Sequence, residues 1–91
     1  MRSLPPSLSP YRCTPVFTAD TVPKGLRRNH KTAAGVWALI HVTEGALLYR
    51  IAATGEEHRL VPSGPPGVIE PEALHSVEPL GPVRFYVEFW R

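Results

Sequence analysis

The segment Val83-Arg84-Phe85-Tyr86-Val87-Glu88-Phe89-Trp90 sets apolar Val83, Phe85, Val87 and Phe89 against Arg84, Tyr86, Glu88 and Trp90. A repeat of two is the period of a β-strand, and one set of side chains must face a core. Upstream, Pro79-Leu80-Gly81-Pro82 reads as a turn, and before it His75 and Val77 share one face while Ser76 and Glu78 share the other. The Pro71-Glu72-Ala73-Leu74 stretch is a proline-led turn that delivers His75 onto its strand.

Working further back, Val36 to Val42 is apolar on both faces, as a strand buried on both sides would be. Glu44-Gly45 interrupts that pattern and Ala46 to Ile51 resumes it, which predicts two hairpin strands joined by a tight turn. Leu47, Leu48, Ile51 and Ala52 also match helical spacing in residues that favour helix. The shortness of the run, the bracketing Gly45 and Gly55 and the lack of a capping residue favour strand. His58 to Val61 and Val68-Ile69 add short extended pieces around the breaker-rich loop Pro62 to Gly67. Two more short strands fit Thr14 to Phe17 and Leu26 to His30. The total is about seven or eight short strands with no crossover helix, the pattern of a sandwich or closed barrel rather than a parallel sheet. Residues 1–10, rich in proline and serine, read as an extended arm, and residues 11–91 as the single β domain.

Composition narrows the classes further. A chain of 91 residues has room for one core. It buries only about 60% of the surface it exposes when unfolded, so it gains from a metal, a partner subunit or barrel closure. Eleven prolines leave long helices few places. A single cysteine, Cys13, excludes an internal disulfide framework, reads as a small packed residue, and fits a reduced, cytoplasmic setting. Pro5, Pro6 and Pro10 break up any signal-like start, and no run approaches the ~18 apolar residues of a membrane helix. The net charge of +2 owes much to Lys24, Arg27, Arg28 and Lys31, but no nucleic-acid motif accompanies them. GxGxxG, GxxxxGK[ST] and GxSxG are all absent, which removes the usual support for nucleotide enzymes and covalent hydrolases.

Four histidines carry the remaining chemistry. None of His30, His41, His58 and His75 has zinc-finger or HExxH spacing, so a metal site would have to be assembled in space from separate strands. His75 is the strongest candidate; His30 reads first as a loop histidine, at a position from which it could also point inward and meet His75. His41 and His58 read as structural or exposed. Glu88 interrupts an apolar strand and would complete a His-His-Glu set if Tyr86, Glu88 and Trp90 face the interior. Trp37, Tyr49, Phe85 and Trp90 read as core before pocket.

The phrases Tyr11 to Phe17, His30 with Gly35-Val36-Trp37, Glu44-Gly45 with Leu48-Tyr49-Arg50, Pro71 to His75 and Gly81 to Phe89 resemble the TehB/YeaR-like family of small cupin domains. The resemblance covers nearly the whole chain and implies a cupin-type, double-stranded β-helix barrel with His30 and His75 as its two motif histidines. By family name it implies a link to tellurite resistance, and nothing in these 91 residues resembles a methyl-transfer domain. The resulting expectation is a cytoplasmic protein holding a divalent metal ion through His30, His75 and Glu88, or a small anionic ligand, inside the barrel. Neither a nucleic-acid nor a membrane partner is expected. The alternative is a non-catalytic sensing or interaction module acting as a homodimer, because the both-faces-apolar strand Val36 to Val42 needs an outer cover.

Overall fold

A computed structural model describes residues 1–91 as six strands and one 3-10 turn. The strands are β1 (Pro10–Cys13), β2 (Phe17–Thr18), β3 (Trp37–Ile51), β4 (Glu56–Leu60), β5 (Gly67–Ile69) and β6 (His75–Trp90), and the turn is Lys24–Arg27. The expected all-β class holds, and Ala46 to Ile51 is strand rather than helix.

β3 and β6 form an antiparallel spine paired from Trp37 opposite Trp90 to Ile51 opposite His75. Short strands extend it on both sides. β5 and β4 pair with successive stretches of the far edge of β3, while β1, β2 and the lone residue His30 pair along the far edge of β6. The path β1-β6-β3-β4 ends without pairing β4 to β1, so the barrel is open rather than closed.

The spine corrects the expected count of seven or eight strands. Glu44-Gly45 and Pro79 to Pro82, read as turns, are irregularities inside two continuous strands that lie side by side. The register shifts between Val42 and Glu44 and again between Gly45 and Leu47, opposite Arg84, Val83 and Pro79. Gly45 (φ 76°) and Gly81 (φ 97°) take left-handed conformations that a side chain would resist. A Cβ on Gly45 would sit 2.0 Å from the Pro82 carbonyl oxygen, so only glycine lets the two backbones approach there. Bulges of this kind bend both strands at one place and fold the inner face of the ribbon over itself.

That inner face is the core. Ala38, Ile40, Leu47, Tyr49, Phe85 and Val87 are buried on it, and Phe17 of β2 packs on Phe85 at 5.6 Å between ring centroids. Leu26 to His30, expected as a strand, is instead the end of the Lys24–Arg27 turn followed by an extended lead into His30. Pro23 (φ −58°) starts the turn, and Thr21 caps the preceding one by accepting a hydrogen bond from the Thr18 amide (2.8 Å). Residues 1–9 lie across the outside, with the Met1 ammonium on Glu56 (2.9 Å) and Arg2 on Glu70 (3.1 Å). No helix is long and apolar enough to cross a membrane.

Candidate functional site: a two-imidazole cleft

His30 and His75 meet through their backbones before their side chains. Each donates its amide to the other's carbonyl, at 2.7 and 2.8 Å, in an isolated antiparallel bridge. Directly opposed residues in such a pair point to the same face, so the two imidazoles lie together with ring centroids 5.6 Å apart, edge to face. The turn before His75 has Glu72 at φ 59° and carries the amide of Ala73 to the Glu70 carbonyl (3.3 Å). It also leaves the Ala73 carbonyl facing the His75 ring.

That carbonyl decides the chemistry of the ring. His75 Nδ1 lies 2.9 Å from the Ala73 oxygen, which can only accept, so Nδ1 carries the proton and the neutral ring presents its lone pair at Nε2. His75 is 3% exposed, yet no sealed polar side-chain atom in the protein goes without a partner. Nε2, which bonds to no protein atom, therefore opens onto the adjoining cleft. Burial, reinforced by the neighbouring His30 and opposed by the Ala73 hydrogen bond, lowers the His75 pKa below its ordinary 6.5. The ring stays neutral at pH 7.

The cleft measures about 40 Å³ and is bounded by His30, His75, Thr32 and apolar side chains that include Leu26, Ile40 and Phe89. It has room for about three waters at roughly 10–15 Å³ each. Tyr49 borders His75 edge-on, with centroids 5.9 Å apart. Burial first, then the charges of Glu70 and Glu56, push its hydroxyl well above the usual tyrosine range, and it donates to the Val68 carbonyl (2.8 Å). Thr32 is buried and donates to the Val36 carbonyl (2.8 Å), which fixes the loop behind His30. Leu26 and Thr32 were not singled out from the sequence. Leu26 is the sole apolar residue between Lys24 and Lys31, and Thr32 stands two places beyond His30, signals that become legible only once the bridge to β6 is known.

Glu88 does not join them. Strand alternation puts Val83, Phe85 and Val87 inward, so Arg84, Tyr86 and Glu88 point to the outer face, and the expected His-His-Glu set is not assembled. On the outer face Glu88 Oε1 accepts from Trp90 Nε1 (2.9 Å) and His41 Nε2 (3.1 Å), and His41 stacks on Tyr86 at 4.9 Å. His41 is thus structural. His58 lies on the inner side of β4, 2.7 Å from Glu56 and 6.2 Å from the Tyr49 ring, at the far side of Tyr49 from His75. Hydrogen bonds from the Met1 ammonium, His58 and Thr54 draw the Glu56 pKa down to about 2.

The donor set does not fit a resident metal. Catalytic zinc sites use three protein ligands, and the cleft offers two imidazoles with no carboxylate or thiolate beside them. No group of three or more His, Cys, Asp and Glu side chains in the protein is arranged to hold a metal ion.

Fold and site together define a small open barrel of the cupin type with an imidazole-edged cleft. The family model described as the TehB-like domain matches residues 12–87, and the chain belongs to that family. It is 34% identical over 74 residues to the probable S-adenosyl-L-methionine-dependent methyltransferase TehB of Haemophilus influenzae Rd, covering 77% of this chain and 26% of that protein. The crystal structure of TehB from Haemophilus influenzae matches with a TM-score of 0.81 at 30% identity, over 91% of this chain and 31% of that one. A crystal structure of a protein from Escherichia coli K12 matches with a TM-score of 0.88 at 24% identity, over 100% of this chain and 97% of the other, a likeness of fold. The chain spans about a quarter of the length of the curated relatives it matches.

Proposed function

We propose that this barrel is a binding module for a small anionic ligand and that the His30–His75 cleft is its site. The observation that carries the reading is His75 itself: a deeply buried, neutral imidazole with an unshared Nε2 lone pair facing space beside a second imidazole. Buried polar atoms are normally partnered, and one left open in a cleft is a recognition point. The anion preference rests on Lys24, Arg27, Arg28 and Lys31, which are exposed on the segment that supplies Leu26 and His30 to the cleft. The family's tie to tellurite resistance by name suits an anionic ligand.

Methyl transfer is not part of the reading. The relative called a methyltransferase is matched over about a quarter of its length, and a cleft of about 40 Å³ is far smaller than the ~300 Å³ at which pockets begin to enclose a drug-sized molecule. The test is nitrogen-15 NMR of the histidine rings during titration with millimolar acetate, phosphate and tellurite. Shifts at His75 and His30 that leave His41 unmoved support the site. No shift at His75 with any small anion, including the carboxylates named below, contradicts it.

A second reading has an observation of its own. Trp37, Leu39, His41, Tyr86 and Trp90 are only half-buried on the outer face, which suits cover by a second copy in a two-fold dimer. Light scattering should then find a dimer that Leu39→Glu dissociates, and a monomeric parent protein at micromolar concentration removes this reading.

A further inference from the structure

The cleft also says what kind of ligand it takes, an inference that rests on the site proposed above. Three properties bear on it. The first is hydrogen-bond polarity. Inside the cleft Thr32 Oγ1 already donates to the Val36 carbonyl, and Thr14 Oγ1 donates to the Pro15 carbonyl (2.9 Å) while accepting from the Val87 amide (3.0 Å). His75 Nδ1 is held by Ala73, so what the deep side chains leave open is acceptor capacity only, at His75 Nε2 and on the Thr32 hydroxyl oxygen, and His75 Nε2 is the one with no hydrogen bond at all. A ligand that reaches it must donate.

The second property is polarity of the walls. Leu26, Ile40, Ile69, Val77, Phe85 and Phe89 line the remainder. A bare anion moved among them would lose its hydration with no cation or amide to replace it, a cost of several kcal/mol or more. The negative group therefore stays at the mouth, where His30 is exposed and Lys24, Arg27, Arg28 and Lys31 are exposed on the adjoining segment, none of them in an ion pair. The third property is size. About 40 Å³ admits a group of about three non-hydrogen atoms, given roughly 10–15 Å³ per water-sized occupant.

We infer that the cleft recognises a short hydroxy-carboxylate, inserting an apolar chain of about two carbons that ends in a hydroxyl donating to His75 Nε2, with the carboxylate left at the basic rim. This class differs from an inorganic oxyanion, which has no apolar part to fill the walls.

The probes are 3-hydroxypropionate and butyrate, which have the same chain length and charge and differ by a terminal hydroxyl in place of a methyl. Ring nitrogen-15 titrations of the intact chain should give 3-hydroxypropionate an affinity about tenfold higher, the effect of one well-made hydrogen bond. Leu26→Trp, a change on a surface turn that fills the cleft, should abolish binding of both, and His75→Phe should abolish the difference between them. Equal affinities for the two probes in the parent protein overturn the inference while leaving the site intact. Phosphate or tellurite shifting His75 when neither carboxylate does so has the same consequence. If no anion moves the His75 ring, the underlying reading fails with it. Because the parent protein alone supplies the decisive comparison, loss of folding in His75→Phe does not weaken the test.

Discussion

On the inner face of the β3/β6 spine, His75 is buried among apolar side chains with Nδ1 bound to a carbonyl and Nε2 open to a cleft. On the outer face His41 is half-exposed, donates Nε2–H to Glu88 and lies flat on Tyr86. The same side chain on two sides of one ribbon has been given an acceptor to satisfy in one case and a donor already spent in the other. An imidazole whose partners are supplied by the protein is structural, whereas one left with a free lone pair in dry surroundings is available to a ligand. The two histidines thereby separate the face that recognises from the face that supports.

The sharpest break between the faces is energetic, and adjacent residues of β6 measure it. Phe85→Ala, on the inner face, should cost about 3–5 kcal/mol by urea denaturation, whereas Tyr86→Ala, its outward neighbour, should cost about 1 kcal/mol. Similar losses at both positions would mean that the outer face is buried too, as in a tight dimer.

A second contrast concerns pH. The His75 pKa in the folded protein lies below 6.5, its value in the unfolded chain, so below pH 6.5 the unfolded state takes up a proton that the folded state refuses. His75 therefore makes stability fall as pH falls through that window, by at most about 1.4 kcal/mol per pH unit, until the folded ring protonates as well. His75→Gln should flatten the urea-midpoint profile between pH 6.5 and its acid end. An unchanged profile would show that the ring is not held neutral.

Glu88 gives a smaller and differently directed effect. Glu88→Ala removes the acceptor shared by Trp90 and His41 and should cost about 1–2 kcal/mol, with the His75 ring resonances unmoved. Shifted His75 resonances, or a zinc-dependent rise in melting temperature that Glu88→Ala abolishes, would place Glu88 in the cleft after all. Smallest of all is Glu56→Gln. The Glu56 pKa falls from 4.5 to about 2 on folding, so its contribution is present above pH 4.5 and is lost as pH drops towards 2. The variant should be slightly less stable than the parent at neutral pH, and the difference should close as the pH falls towards 2.

What the sequence makes legible follows from period and contact range. Alternation in Val83 to Trp90 fixes two sets of side chains, and it puts His75 and Val77 on one face, which burial shows to be the core. Alternation does not by itself name the inner set on a strand with aromatics on both sides, so Glu88 was assigned on a condition that the burial of Phe85 and Val87 removes. Glu44-Gly45 and Leu80-Gly81 misled for a different reason: a glycine beside a polar or proline neighbour suits a bulge as well as a turn, and only the partner strand distinguishes them. The meeting of His30 with His75 spans 45 positions; the place of His30 in the chain leaves it open beside a loop reading, and only the family resemblance implies it outright. The walls Leu26 and Thr32 had no such guide.

The tautomer and charge of the His75 ring test the account most directly. Two-bond nitrogen-15 correlation spectra at pH 7 should show His75 with a protonated Nδ1 and a bare Nε2, remaining neutral when the pH is lowered past 6.5. A proton on Nε2 at pH 7, or a ring that titrates at 6.5 as an exposed histidine does, would contradict it.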